Sequence, residues 1–159
     1  YKLDIYKHAI YKNIYYYLLL ILYLREINMT EISMTEYQIF NLMHVGFIQN
    51  AMYFVGMVLL IWLGFRMANN IYNNSESNML AKVFTSLFCV LVAAMMFNVQ
   101  QIGAAILGTA VTQLGAIGAE SAERMQTYVD HPLGIGGTVQ TIFVALVLVF
   151  QLAITWNKK

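Results

Sequence analysis

The stretch Ala51-Met52-Tyr53-Phe54-Val55-Gly56-Met57-Val58-Leu59-Leu60-Ile61-Trp62-Leu63-Gly64-Phe65 contains no charged residue and ends on Arg66. It belongs to a longer uncharged run between Glu36 and Arg66, which is 29 residues long. Two similar runs follow, of 37 residues between Lys82 and Glu120 and of 26 residues between His131 and Lys158 (histidine counted as a boundary). A hydrocarbon core about 30 Å thick is crossed by roughly 20 helical residues, so each run is long enough to span a bilayer. The expected fold is therefore all-α, an integral membrane protein with three transmembrane helices. Trp62 and Phe65 before Arg66, and Trp156 before Lys158 and Lys159, give two spans the aromatic-then-basic edge typical of a membrane surface.

Composition agrees with this reading. Hydrophobic residues make up 60% of the chain and charged residues 11%, below the quarter or so usual in soluble domains. The formal net charge is +1 and no basic tract occurs, which leaves nucleic-acid binding without an electrostatic basis. The single cysteine, Cys89, has no partner in the chain for an internal disulfide.

The spans are placed at about 37–65, 83–106 and 138–156. The second run is too long for one crossing, because 37 residues extend about 55 Å as a helix. The second helix is accordingly expected to be long, or broken near the polar Asn98-Val99-Gln100-Gln101. Residues 107–119 are either a helical extension or a re-entrant piece. Residues 66–82, rich in asparagine and serine, read as an exposed loop. The segment Asp130-His131-Pro132-Leu133-Gly134-Ile135-Gly136-Gly137 reads as a turn leading into the third span.

Residues 1–28 differ from the rest. They hold seven of the eleven tyrosines and no Gly, Ser, Thr, Val, Gln or Pro. Two readings stand: a non-native leader translated from an AT-rich upstream region, with the native start at Met29 or Met34, or an interfacial segment whose tyrosines lie at headgroup level. Residues 29–159 form the three-helix domain on either reading. Counting from Met29, Arg66, Lys82, Lys158 and Lys159 fall on one side and Arg124 alone on the other. Basic residues favour the cytoplasmic side, so a multi-pass protein with its N-terminus outside and its C-terminus on the cytoplasmic side is expected. Lys2, Lys7, Lys12 and Arg25 would erase that bias if the leader were counted.

The best-formed pattern is Ala104, Gly108, Thr112 and Ala116 at four-residue spacing, with Gly115 beside it. Residues four apart share a helix face, and small residues there let a second helix approach closely. The spacing leaves open whether that helix is this chain's own or a partner's. Gln49, Asn50, Asn98, Gln100 and Gln101 fall within the spans, as do Gln113, Gln140 and Gln151, and in hydrocarbon they need hydrogen-bond partners. They serve as interhelical glue or as a polar pore lining.

Chemistry is sparse. His44, Asp130 and His131, with Glu36, could converge on copper or zinc, yet no ligand-spacing motif accompanies them. Met95-Met96 and Cys89 suit Cu(I) in kind but also suit packing. Gly134-Ile135-Gly136-Gly137 lacks the strand before it and the Lys-Ser/Thr after it that a phosphate loop needs. The spans hold no Asp, Glu, Lys or Arg, which argues against proton relay and ion-coupled transport. The expected function is a non-catalytic accessory or structural subunit of a larger membrane complex. Its partners would be other membrane subunits and lipid, with bound lipid in place of a cofactor, and no nucleic acid or soluble small-molecule substrate. One alternative is a self-assembling pore, similar to phage holins in architecture only, lined by Gln49, Asn98 and Gln101. Another is a metal-binding subunit of a membrane oxidoreductase.

Overall fold

A computed structural model describes the backbone of residues 2–74 and 77–157, and the side chains of those residues apart from 2–14, 28, 30 and 32. The described residues form four helices: α1 (Lys2–Asn73), α2 (Met79–Ala116), α3 (Ser121–Val129) and α4 (Thr138–Trp156). Three of them contain segments long and apolar enough to cross a membrane, Ser33–Asn73, Met79–Ala116 and Thr138–Trp156. The expected class, all-α with three spanning helices, is the observed one.

The helices are longer than the sequence reading drew them. The only proline is Pro132, so nothing upstream of it removes a backbone donor or forces a kink. α1 runs for 72 residues and the backbone has no break at residue 28, so residues 2–28 and the first span share one helix. The polar stretch 66–73, expected as loop, is the last two turns of α1. Asn73 Nδ2 donates to the Asn69 carbonyl at 3.0 Å and satisfies one acceptor near the helix end. The connection shrinks to residues 74–78, where Asn78 caps α2 by accepting from the Ala81 N–H at 2.9 Å.

α2 continues through Asn98, Gln100 and Gln101 without interruption, so the helix is long rather than broken. Residues 107–116 are plain helical continuation. The helix ends in a Schellman motif: Gly118 takes φ +69°, its N–H reaches Gly115 O at 3.1 Å, and the Ala119 N–H reaches Leu114 O at 3.0 Å. The chain then reverses into α3, an element the sequence reading did not identify. Its apolar side (Ala122, Met125) packs with Ala119 against Ile39, Ala110 and Leu114, and Ser121 Oγ donates a hydrogen bond to Glu36 Oε1.

α2 is the central helix, antiparallel to α1 and to α4. The register is fixed by close pairs: Gly46 beside Ile106, Gly103 beside Asn50, and Gly64 beside Cys89 and Gln151. The midplane core consists of Met57, Ala93, Met96, Val99 and Val144. Most side chains of the spanning helices nonetheless stay exposed or half-exposed. In the most apolar windows of the spanning segments, 17% of residues are buried in α1, 28% in α2 and 17% in α4. A soluble protein could not expose so much apolar surface to water, and hydrocarbon is the solvent that accepts it. The chain is a membrane protein.

Candidate functional site

The small-residue pattern of α2 divides in two. Ala104 is half-buried against the loop before α4, where a Cβ added to Gly136 would lie 2.7 Å from the Ala104 Cβ. The other members face away from the chain's own helices. A Cβ at Gly108 or at Gly115 would meet nothing within 4 Å. Thr112, Gly115 and Ala116 are exposed, and Thr112 Oγ1 returns its proton to the Gly108 carbonyl at 2.9 Å, so it needs no partner there. The chain packs α2 internally through the neighbouring face instead, with Gly103, Leu107, Ala110, Val111 and Leu114 buried.

Two shallow clefts border the free face. One, of ≈ 370 Å³, lies between α1 and α2 and is lined mainly by apolar groups including Ile39, Met43, Gly46 and Ile106. The other, of ≈ 400 Å³, is lined by Ala105, Gly108, Thr109, Thr112 and Gln113. They share Ala105, Thr109 and Gln113, exposed side chains that stand between the two, so the clefts adjoin along α2. Such a surface can seat a helix in lipid, where close backbone approach and dispersion replace the hydrophobic drive.

The intramembrane polar residues fall into three groups. Gln49 and Asn98 are exposed on the outside of the bundle. Gln101 Nε2 reaches Gly136 O at 3.5 Å, and Gln140 Oε1 accepts from the Gly136 N–H at 3.0 Å, so the loop before α4 is tied to α2 and α4 by amide side chains. Asn50 Oδ1 and Gln100 Oε1 are buried acceptors without a donor among the described residues. A residue outside the expected site makes the clearest interhelical bond: Gln151, 1% exposed, donates through Nε2 to Ile61 O at 2.9 Å. Gly64 makes room for it, since a Cβ there would lie 2.6 Å from that same nitrogen. A glutamine inside the third apolar run and a glycine inside the first were the available signals.

The proposed metal ligands do not come together. Among the described residues no group of three or more His, Cys, Asp or Glu is placed to hold a metal ion. His44 is exposed on α1. Asp130 Oδ1 accepts from Gln126 Nε2 at 3.0 Å, and His131 Nδ1 accepts from the Leu133 N–H at 3.1 Å, which makes both of them turn residues. Cys89 and Met96 are buried in packing positions.

The end of the bundle formed by the close of α1, the start of α2 and the close of α4 carries tryptophan–cation pairs. The Arg66 guanidinium lies 5.4 Å from the Trp62 ring centroid and the Lys82 ammonium 6.0 Å from that of Trp156. Trp156 Nε1 also donates to Ser86 Oγ at 2.9 Å. Both indoles are thereby set at one end of the bundle, an arrangement that suits an aromatic belt.

No protein-family model, curated protein or solved structure matches the chain.

Proposed function

We propose that the chain is a non-catalytic accessory or structural subunit of a larger membrane complex, seated through the outward face of α2. The observation that carries this reading is the free face at Gly108, Thr112, Gly115 and Ala116. It has the small-residue chemistry of a helix interface, yet a Cβ added at Gly108 or Gly115 meets nothing within 4 Å among the described residues, and Thr112 and Ala116 are exposed. Exposed Gln49 and Asn98 support the same reading, since amides facing hydrocarbon favour hydrogen bonds to a neighbouring helix. Counted from Met29, the bias of basic residues turns the Arg66 and Lys82 end to the cytoplasm and the α3 end outward.

Extraction in a mild detergent followed by native mass spectrometry of the intact assembly tests the proposal. The expected result is a complex containing different membrane chains in fixed stoichiometry. A ring or cluster of this chain alone would instead support the holin-like pore, with Gln49, Asn98 and Gln101 turned to its lumen. A stable solitary chain would overturn both.

A further inference from the structure

The face of α1 that leaves the bilayer has features the subunit role does not use. Arg66, Asn69, Asn70 and Asn73 lie at i, i+3, i+4 and i+7 and so share one side of the helix. With Leu63 and Met67 they line an open groove of ≈ 490 Å³ along α1 alone. We propose that this groove binds the phosphate of an anionic phospholipid headgroup. The inference is independent of which protein, if any, covers α2.

Position comes first. Phe65 is the last residue of the first apolar run, and the Trp62 ring marks the membrane edge. From Arg66 to Asn73 α1 rises about 10 Å. That carries the asparagines through a headgroup layer roughly 5–8 Å thick on each side of the bilayer. Leu63, one turn before Arg66, lies at the level of the glycerol and the first acyl carbons.

Charge and donors come next. Among the described residues no carboxylate pairs with Arg66; its recorded partner is the Trp62 ring. A cation–π contact at 5.4 Å engages none of the guanidinium N–H groups in a conventional hydrogen bond, and these donors match phosphate geometry. Asn73 Nδ2 donates to Asn69 Oδ1 at 3.2 Å, which occupies the Asn69 acceptor and leaves its amide N–H groups as donors. Lys82 at the same end is a second cation and is also set over a tryptophan. The α1 C-terminus opposes an anion with about half a negative charge, but that effect fades within the last turn, whereas Arg66 carries a full charge two turns earlier. The balance favours the anion.

The test uses the full chain in nanodiscs of phosphatidylcholine containing a minor fraction of phosphatidylglycerol. Retained lipid is counted by native mass spectrometry after release into detergent. Wild type is expected to keep phosphatidylglycerol in a saturable manner and to lose phosphatidylcholine. Arg66→Gln should lower that retention about tenfold, the scale expected for losing a charge-assisted contact. Asn70→Asp leaves Arg66 in place but sets a carboxylate four residues from it, and should expel the lipid as well. Lys82→Gln should have a smaller effect. Soluble glycerol 3-phosphate, added in excess, should not displace the lipid; displacement would show a site for free phosphate compounds and overturn the lipid assignment. Equal retention of the two lipids, or wild-type retention in both Arg66→Gln and Asn70→Asp, would overturn the site itself.

Discussion

Single atoms decide how closely these helices meet, and glycine sets the limit at two places. Gly64 admits the Gln151 amide to the Ile61 carbonyl; an added Cβ would come within 2.6 Å of Nε2 and 3.2 Å of Cys89 Sγ. The amide is the end of a flexible side chain and can withdraw, so Gly64→Ala should cost only about 1 kcal/mol, in line with hydrogen bonds between membrane helices. Unfolding in mixed detergent micelles, followed by circular dichroism, measures it. In a Gln151→Ala background, where only the 3.2 Å approach to Cys89 Sγ remains, the same substitution should cost less, and an unchanged cost would show that Gly64 does not serve the glutamine. Gly136 is stricter. It takes φ +75°, and a Cβ would lie 2.7 Å from the Ala104 Cβ and 3.0 Å from the Gln100 carbonyl oxygen, which is backbone and cannot give way. Gly136→Ala should therefore destabilise by about 2–3 kcal/mol in the same assay. Little of this was legible beforehand. Gly134-Ile135-Gly136-Gly137 reads as a flexible run because glycine shows what backbone is permitted, not which is used. Gln151 was visible as a polar residue, but the carbonyl it would meet was not.

At the level of elements, the three spans were readable because charge-free length is a direct consequence of the solvent. Their ends were less so. Arg66–Asn73 is polar and asparagine-rich, yet it stays helical because no proline or glycine interrupts it and Asn73 bonds back to Asn69. Asn98, Gln100 and Gln101 did not break α2, since an uninterrupted helix satisfies its own backbone and leaves only side chains to accommodate. α3 escaped notice because nine residues carry too short a pattern to register against a long apolar neighbour. What fixes α3 in place is the stop before it. Gly118 alone supplies the left-handed residue of the Schellman motif, and nothing lies within 4 Å of the position a Cβ would take. Gly118→Ala then incurs backbone strain without a steric clash, about 1 kcal/mol. Hydrogen exchange should report it locally: faster exchange at the Gly118 and Ala119 amides and in α3, with α4 unchanged. Uniform acceleration across all helices would contradict a local role for the cap.

For the whole molecule the question is what covers a bundle that buries so little of itself. Lipid covers the large aliphatic and aromatic side chains that radiate from α1, α2 and α4. It has no special affinity for a strip of glycine, alanine and threonine, and a small-residue face returns stability only when another backbone comes close. Two glycines five residues apart on α2 separate the internal use of such a face from an external one. Gly103 is internal: a Cβ would lie 2.6 Å from Ile135 Cγ2 and 2.9 Å from Asn50 Nδ2, so Gly103→Leu should unseat the loop before α4 and destabilise the isolated chain. Gly108 is half-buried and an added Cβ there meets nothing within 4 Å, and leucine is the better helix former by roughly 0.5–1 kcal/mol. Gly108→Leu should therefore leave insertion, helix content and the unfolding midpoint of the chain unchanged or slightly raised. If the chain is the subunit proposed above, co-extraction of other membrane chains with it should fall sharply. A more stable chain that has lost its neighbours is an outcome that simple internal packing of this face cannot produce. Full co-extraction by Gly108→Leu, measured beside wild type, would mean that the partner sits elsewhere on the bundle.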